Sequence, residues 1–139
     1  MARTVILDTG PLVALLCRQE ALHPWTVEQF SALAPPLLTC EAVLAEADHL
    51  IRRTRQAAGF VVELVNRGVL AVALDLGKEA GAVAGIQSKY RDRPASLADA
   101  CLIRMTELHD GSRVMTFDDD FSVYRRYGRR VIPLLTPKR

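Results

Sequence analysis

Val5-Ile6-Leu7-Asp8-Thr9-Gly10-Pro11-Leu12-Val13-Ala14-Leu15 changes structural period within a few residues. The run from Thr4 to Leu7 has no polar break and is rich in branched side chains, which reads as a buried strand. Asp8-Thr9-Gly10 then turns the chain, and Pro11 stands in the first turn of a helix, where a missing N–H costs least. Leu12, Val13, Leu15 and Leu16 make that helix largely buried. A strand feeding a helix through an acid is the opening unit of an α/β domain.

The rest of the chain repeats that alternation. His23-Pro24-Trp25 starts a helix to about Ala34, and Pro35-Pro36 ends it. Leu37-Leu38 is a short strand, and Thr39 is placed to N-cap a helix from Cys40 to Arg55. A helix over about Ala57 to Asn66 ends at Gly68. Val69 to Leu74 reads as a strand and Gly77 to Tyr90 as a helix. After Asp92-Arg93-Pro94, Ser96 opens a helix to about His109. Asp110-Gly111 turns into a strand from Arg113 to Phe117, followed by a short helix from Phe121 to Tyr127. Arg130 to Leu135 closes as a strand whose Pro133 points to a sheet edge. Strands alternating with helices at this spacing predict an α/β fold with a mainly parallel central sheet flanked by helices. Its 139 residues suit one domain, taken here as residues 1–139.

Composition narrows the function. Half the residues are apolar and 24% are charged, a globular balance. No apolar run approaches the roughly 20 residues that span a bilayer. The first residues do not read as a signal peptide, so the expected address is the cytoplasm. Cys17, Cys40 and Cys101 are far apart with no C-x-x-C, which suggests buried free thiols in a reduced compartment. Net charge is only +2, but the basic residues cluster. Arg52, Arg53 and Arg55 form one group and Lys89, Arg91 and Arg93 another. The third holds Arg125, Arg126, Arg129, Arg130, Lys138 and Arg139, interleaved with Tyr124 and Tyr127. Basic flanks around an acidic centre suit a bound polyanion; solvated helix ends are the plainer reading.

That acidic centre is drawn from four distant places. Asp8 and Asp118 each follow the carboxyl end of an expected strand, where open α/β sheets bind ligands. Glu46 lies on a helix whose apolar stripe is Val43, Leu44, Ala47, Leu50 and Ile51. At about 100° per residue it falls about 40° beyond Leu50, at the stripe's edge. It could reach the sheet end or pair with His49, one turn along. Asp99 fits a capping box in Ser96-Leu97-Ala98-Asp99 and also suits the helix dipole. Asp8 could cap the helix after it, with Thr9 competing for the role. In Asp118-Asp119-Asp120 one acid could cap the next turn. Two unit charges about 4 Å apart still cost about 4 kcal/mol at an effective dielectric near 20, so such a cluster calls for a positive partner. Mg²⁺ or Mn²⁺ fits carboxylate oxygens best.

Other chemistries find no support. His23, His49 and His109 form no H-x-x-x-H pair, and no G-x-S-x-G elbow or phosphate-binding glycine loop occurs. Gly77, Gly81 and Gly85 recur every four residues, a small-residue face for close packing within the fold or across a dimer. Trp25 reads as a core or interface anchor.

Taken together, four segments resemble the motifs of PIN-domain nucleases. They are the opening stretch quoted above, Val43-Leu44-Ala45-Glu46-Ala47, Ser96-Leu97-Ala98-Asp99-Ala100 and Thr116-Phe117-Asp118-Asp119-Asp120-Phe121. The resemblance runs from Thr4 to about Leu135, and its compact length is similar to the toxin subunits of VapBC-type toxin–antitoxin pairs. It implies a Mg²⁺- or Mn²⁺-dependent endoribonuclease with Asp8, Glu46, Asp99 and Asp118 as its acidic quartet. Asp8 and Asp99 would be the most direct metal ligands, with Asp118 assisting and Asp120 and Thr116 auxiliary. Arg53, Arg91 and Arg93 are the candidates to hold the RNA backbone. The resemblance also implies a homodimer and a small antitoxin that places a basic side chain in the acidic groove. Three alternatives stay open: a PIN-like RNA-processing nuclease outside a toxin–antitoxin pair, a metal-stabilised binding module, and a receiver-like phosphoryl-transfer domain. The last lacks the lysine it needs after a late strand.

Overall fold

A central strand buried along its whole length organises the molecule. The computed structural model describes residues 4–54 and 57–137; Arg55, Lys138 and Arg139, which belong to two of the basic clusters, lie outside the described residues. Strand β1 (Val5–Leu7) is buried at every position, as expected of a strand covered on both faces. It pairs in parallel with β2 (Leu37–Thr39) on one side and β4 (Arg113–Met115) on the other. Strand β3 (Leu70–Val72) extends the sheet beyond β2, and β7 (Leu134–Leu135) closes it beyond β4. The order is therefore β3-β2-β1-β4-β7, all parallel, with helices between the strands. The chain builds outward from β1 in one direction and later in the other. The reversal falls between β1 and β4, which opens a crevice at their carboxyl ends.

Helices cover the sheet. They are α1 (Thr9–Leu16), α2 (His23–Ala32), α3 (Glu41–Arg52), α4 (Val61–Asn66), α5 (Leu76–Lys89) and α6 (Leu97–Leu108). Helix α6 is the most deeply set, burying Ala98, Ala100 to Ile103, Met105 and Thr106. Helix α3 presents a narrower stripe than expected. Val43, Ala47 and Ile51 are buried, whereas Leu50 is 45% exposed. No described helix is long and apolar enough to cross a membrane. All three cysteines are free and buried, as expected.

Several local expectations change. Asp8, not Thr9, caps α1, accepting a hydrogen bond from Thr9 N at 2.7 Å. Cys40 rather than Thr39 precedes α3; the buried Thr39 hydroxyl instead donates to Leu7 O at 3.1 Å and ties β2 to β1. Helix α4 starts only at Val61, because Ala57 bridges to Cys17 and Ala58 N donates to Leu16 O. The helix expected over Phe121 to Tyr127 is a 3-10 turn (Asp119–Ser122) followed by a hairpin of β5 (Arg125–Arg126) and β6 (Arg130–Val131). Tyr127 turns the hairpin in a left-handed conformation, held by its N–H to Glu107 Oε2 (2.6 Å) and its hydroxyl to Glu107 O (2.7 Å). The strand expected over Arg130 to Leu135 splits at Pro133, which has no N–H to give; β6 pairs with β5 and β7 with β4. The edge position read from Pro133 holds for β7. Gly81 and Gly85 of α5 are exposed, and a Cβ at either would meet nothing within 4 Å among the described residues.

Candidate functional site

The crevice between β1 and β4 collects the acids. Asp8 leaves the end of β1, and its N–H continues the ladder to Met115 O at 3.0 Å. Its carboxylate is only 7% exposed. One oxygen accepts from Thr9 N; the other accepts from the Thr116 hydroxyl at 2.7 Å. Thr116 Oγ1 accepts in turn from Asp118 N at 2.9 Å. A single buried hydroxyl thus fixes the acid after β1 against the loop after β4, a positioning role for Thr116.

Glu46 reaches the same place from α3. Thr9 Oγ1 donates to Glu46 Oε2 at 2.9 Å, so Glu46 turns towards the crevice instead of towards His49. Thr9 therefore contacts both acids, through its backbone to Asp8 and its hydroxyl to Glu46. Sequence reasoning had weighed it only as a cap. Asp118 is exposed and accepts from Asp120 N at 2.9 Å, so it does cap the 3-10 turn.

Asp99 makes its capping box and a further bond besides. The capping box is present: Asp99 N donates to Ser96 Oγ at 3.0 Å and Ser96 N to Asp99 Oδ2 at 3.4 Å. That same Oδ2 accepts from the hydroxyl of fully buried Tyr124 at 3.0 Å. Tyr124 is packed edge-on against Tyr90 and Phe121, which fixes its aim. Burial first, then the charge of Asp99, pushes the Tyr124 hydroxyl up, so it remains a donor. Nothing in the sequence singles out this pair, since it depends on how the loop after β4 folds back over α6.

The electrostatics show that the acids share one space. Asp8 is pushed up to about 6, chiefly by burial, against the lowering effect of its bonds from Thr116 and Thr9, with Asp99 and Asp118 adding repulsion. Asp99 is also raised, first by burial, with Asp118 and Glu46 contributing. Among the described residues none of the four pairs with a Lys, Arg or His; the ion pair made here is Arg93 to Asp120, at 3.8 Å and exposed. Nor do any three Asp, Glu, His or Cys side chains among the described residues stand close enough to hold a metal ion as placed. Asp8 and Asp99 are the more buried of the four, whereas Glu46 and Asp118 are exposed, each held by a single hydrogen bond.

The arginines divide. Arg93 stands beside the acids through Asp120. Arg91 is exposed at the end of α5, where it donates to Ser88. Arg53 is exposed at the end of α3. Arg126, by contrast, is buried and donates to Thr106 O at 2.6 Å, and Arg125 wraps the carbonyls of residues 122–124. These two serve the hairpin, a correction to their reading as part of a polyanion-binding tail.

A parallel five-stranded sheet with acids at its switch point defines a small α/β protein with an acidic crevice. The PIN domain family model matches residues 5–127, and the chain belongs to that family. No curated protein matches it. Among solved structures, it is similar to Mycobacterium tuberculosis VapC20, described as a Sarcin-Ricin loop cleaving toxin. The TM-score is 0.73 at 22% identity, covering 91% of this chain and 99% of that one. At that identity the likeness is one of fold. Family and fold together support a nuclease.

Proposed function

We propose that the chain is a metal-dependent endoribonuclease, the toxin of a type II toxin–antitoxin pair that cuts structured RNA and so inhibits translation. The observation that carries this reading is the convergence of Asp8, Glu46, Asp99 and Asp118 at the β1/β4 switch point without a cationic partner among the described residues. Mg²⁺ or Mn²⁺ fits this all-carboxylate donor set, with Asp8, Asp99 and Asp118 as ligands; when bound, the ion would supply Lewis-acid stabilisation of the scissile phosphate. Thr116 holds Asp8 in place and Tyr124 holds Asp99. Glu46, set by Thr9 and exposed to solvent, orients the attacking water and takes its proton. Arg93, Arg91 and Arg53 meet the RNA backbone, which makes binding salt-dependent without selecting sequence. Asp120, paired with Arg93, is auxiliary. The partners that follow are a small antitoxin whose basic side chain occupies the acidic crevice, and a second copy of the chain in a homodimer. The site of action is the cytoplasm.

The test is cleavage of total cellular RNA with Mn²⁺ or Mg²⁺, beside EDTA and Glu46→Gln. Glu46 is exposed and caps nothing, so its loss isolates chemistry from folding. Discrete fragments only in the wild-type metal lane are expected. A folded protein whose melting temperature rises with Mn²⁺ but which cuts nothing would instead mark a binding module.

A further inference from the structure

One helical turn along α1 and α3 from Thr9 and Glu46, the side chains change from polar to apolar. On α1, Val13 lies one turn beyond Thr9; on α3, Leu50 lies one turn beyond Glu46, about 5.4 Å along each axis. Val13, Leu50, Gly10, Leu22 and Phe117 line a cavity of about 240 Å³ there, together with Glu20. Gly10 lets the Phe117 ring lie close, since a Cβ would stand 3.0 Å from Phe117 Cδ2. Trp25 packs edge-on against the other side of that ring, with centroids 5.8 Å apart. Phe117 itself immediately precedes Asp118. An apolar cavity with one aromatic wall, lined by residues that flank Asp8 and Asp118 in the chain, has the chemistry of a pocket for an unstacked base. Glu20 is charged and exposed, and no hydrogen bond to its side chain occurs among the described residues.

We propose that this pocket receives the base of a nucleotide flanking the scissile phosphate, and that Glu20 selects a base whose exposed edge donates hydrogen bonds. The inference rests on the nuclease reading and adds a base-selecting subsite to it. A carboxylate accepts but cannot donate, so it favours amino and imino edges and rejects carbonyl edges. The backbone contacts of the arginines give no such choice.

The test uses hairpin RNAs with fully randomised loops, cut by the purified chain in Mn²⁺ and sequenced at the new ends. The wild type should show one favoured class of base at a fixed position beside the cut. Leu50→Trp fills the cavity from an exposed position and should lower kcat/KM on the order of tenfold while erasing that preference. Glu20→Gln should broaden the preference towards bases with carbonyl edges. Cleavage by the wild type with no favoured flanking base overturns the pocket assignment and leaves the nuclease reading intact. Leu50→Trp cutting at wild-type rate and preference would mean that no base enters the pocket, and that also overturns it. A wild type that cuts no RNA removes the nuclease reading and this inference together.

Discussion

Neutralising Asp8 should stabilise the metal-free protein, the reverse of what removing a buried, hydrogen-bonded acid ordinarily does. Its carboxyl titrates near 6 in the fold against an ordinary 3.8, chiefly because burial disfavours the charge. The folded chain therefore binds more protons than the unfolded chain between those values, and stability falls as pH rises through that window. At about 1.4 kcal/mol per pH unit, the ionised acid costs about 3 kcal/mol above it. Asn caps a helix as well as Asp, so Asp8→Asn keeps the bond from Thr9 N and removes the charge, but its amide NH2 cannot accept from the Thr116 hydroxyl, and losing that bond takes back about 1 kcal/mol. For a domain of 139 residues, the net gain of about 2 kcal/mol corresponds to a rise in melting temperature of about 6 °C. Thermal unfolding in EDTA should show this advantage near pH 8 and lose most of it by about pH 4, where Asp8 is protonated in the folded wild type. Mn²⁺ should raise the wild-type transition and leave the variant unmoved. Equal transitions for the two proteins at both pH values in EDTA would refute the claim that Asp8 is held at a cost.

Two further substitutions probe how the acids are held. Thr116→Val keeps the shape but removes both the donor to Asp8 and the acceptor for Asp118 N; it should cost about 1–3 kcal/mol in denaturant unfolding. RNA cleavage should fall by roughly 10–100-fold. Tyr124→Phe retains the packing against Tyr90 and Phe121 while removing one donor from Asp99. Calorimetric Mn²⁺ titration should show roughly tenfold weaker binding, with fold stability lowered by only about 1 kcal/mol.

What the sequence made legible was whatever lies within one element. The apolar runs around Ile6 and Val114 announced strands, and the acids after them marked the carboxyl ends. Ser96 with Asp99 announced a cap that is there. The readings that changed depend on partners distant in the chain. Thr39 gives up a local cap because Leu7 O, across the sheet, needs a donor. Residues 121–127 fail to become a helix because Glu107 takes the N–H of Tyr127 and holds it left-handed. Arg126 looked like a surface cation in a basic run, yet it closes the end of α6 through Thr106 O. Tyr124 escaped for the same reason: its hydroxyl meets Asp99 only once that hairpin is docked.

Capping, which the sequence set against a site role for Asp8 and Asp99, is compatible with that role in the fold. Each acid caps a helix, and both helices, α1 and α6, begin at the same crevice. A helix N-terminus carries roughly half a positive charge, so two of them partly offset the negative charge gathered there. Capping also removes rotamer freedom from Asp8 and Asp99, the two acids nearest the sheet, while Glu46 and Asp118 remain exposed. A cation entering this crevice would therefore meet two carboxylates held by burial and several bonds and two exposed ones held by one bond each. The caps are thus part of how the site is made, and a variant that spares the charge but breaks the cap should lose metal affinity along with helix stability.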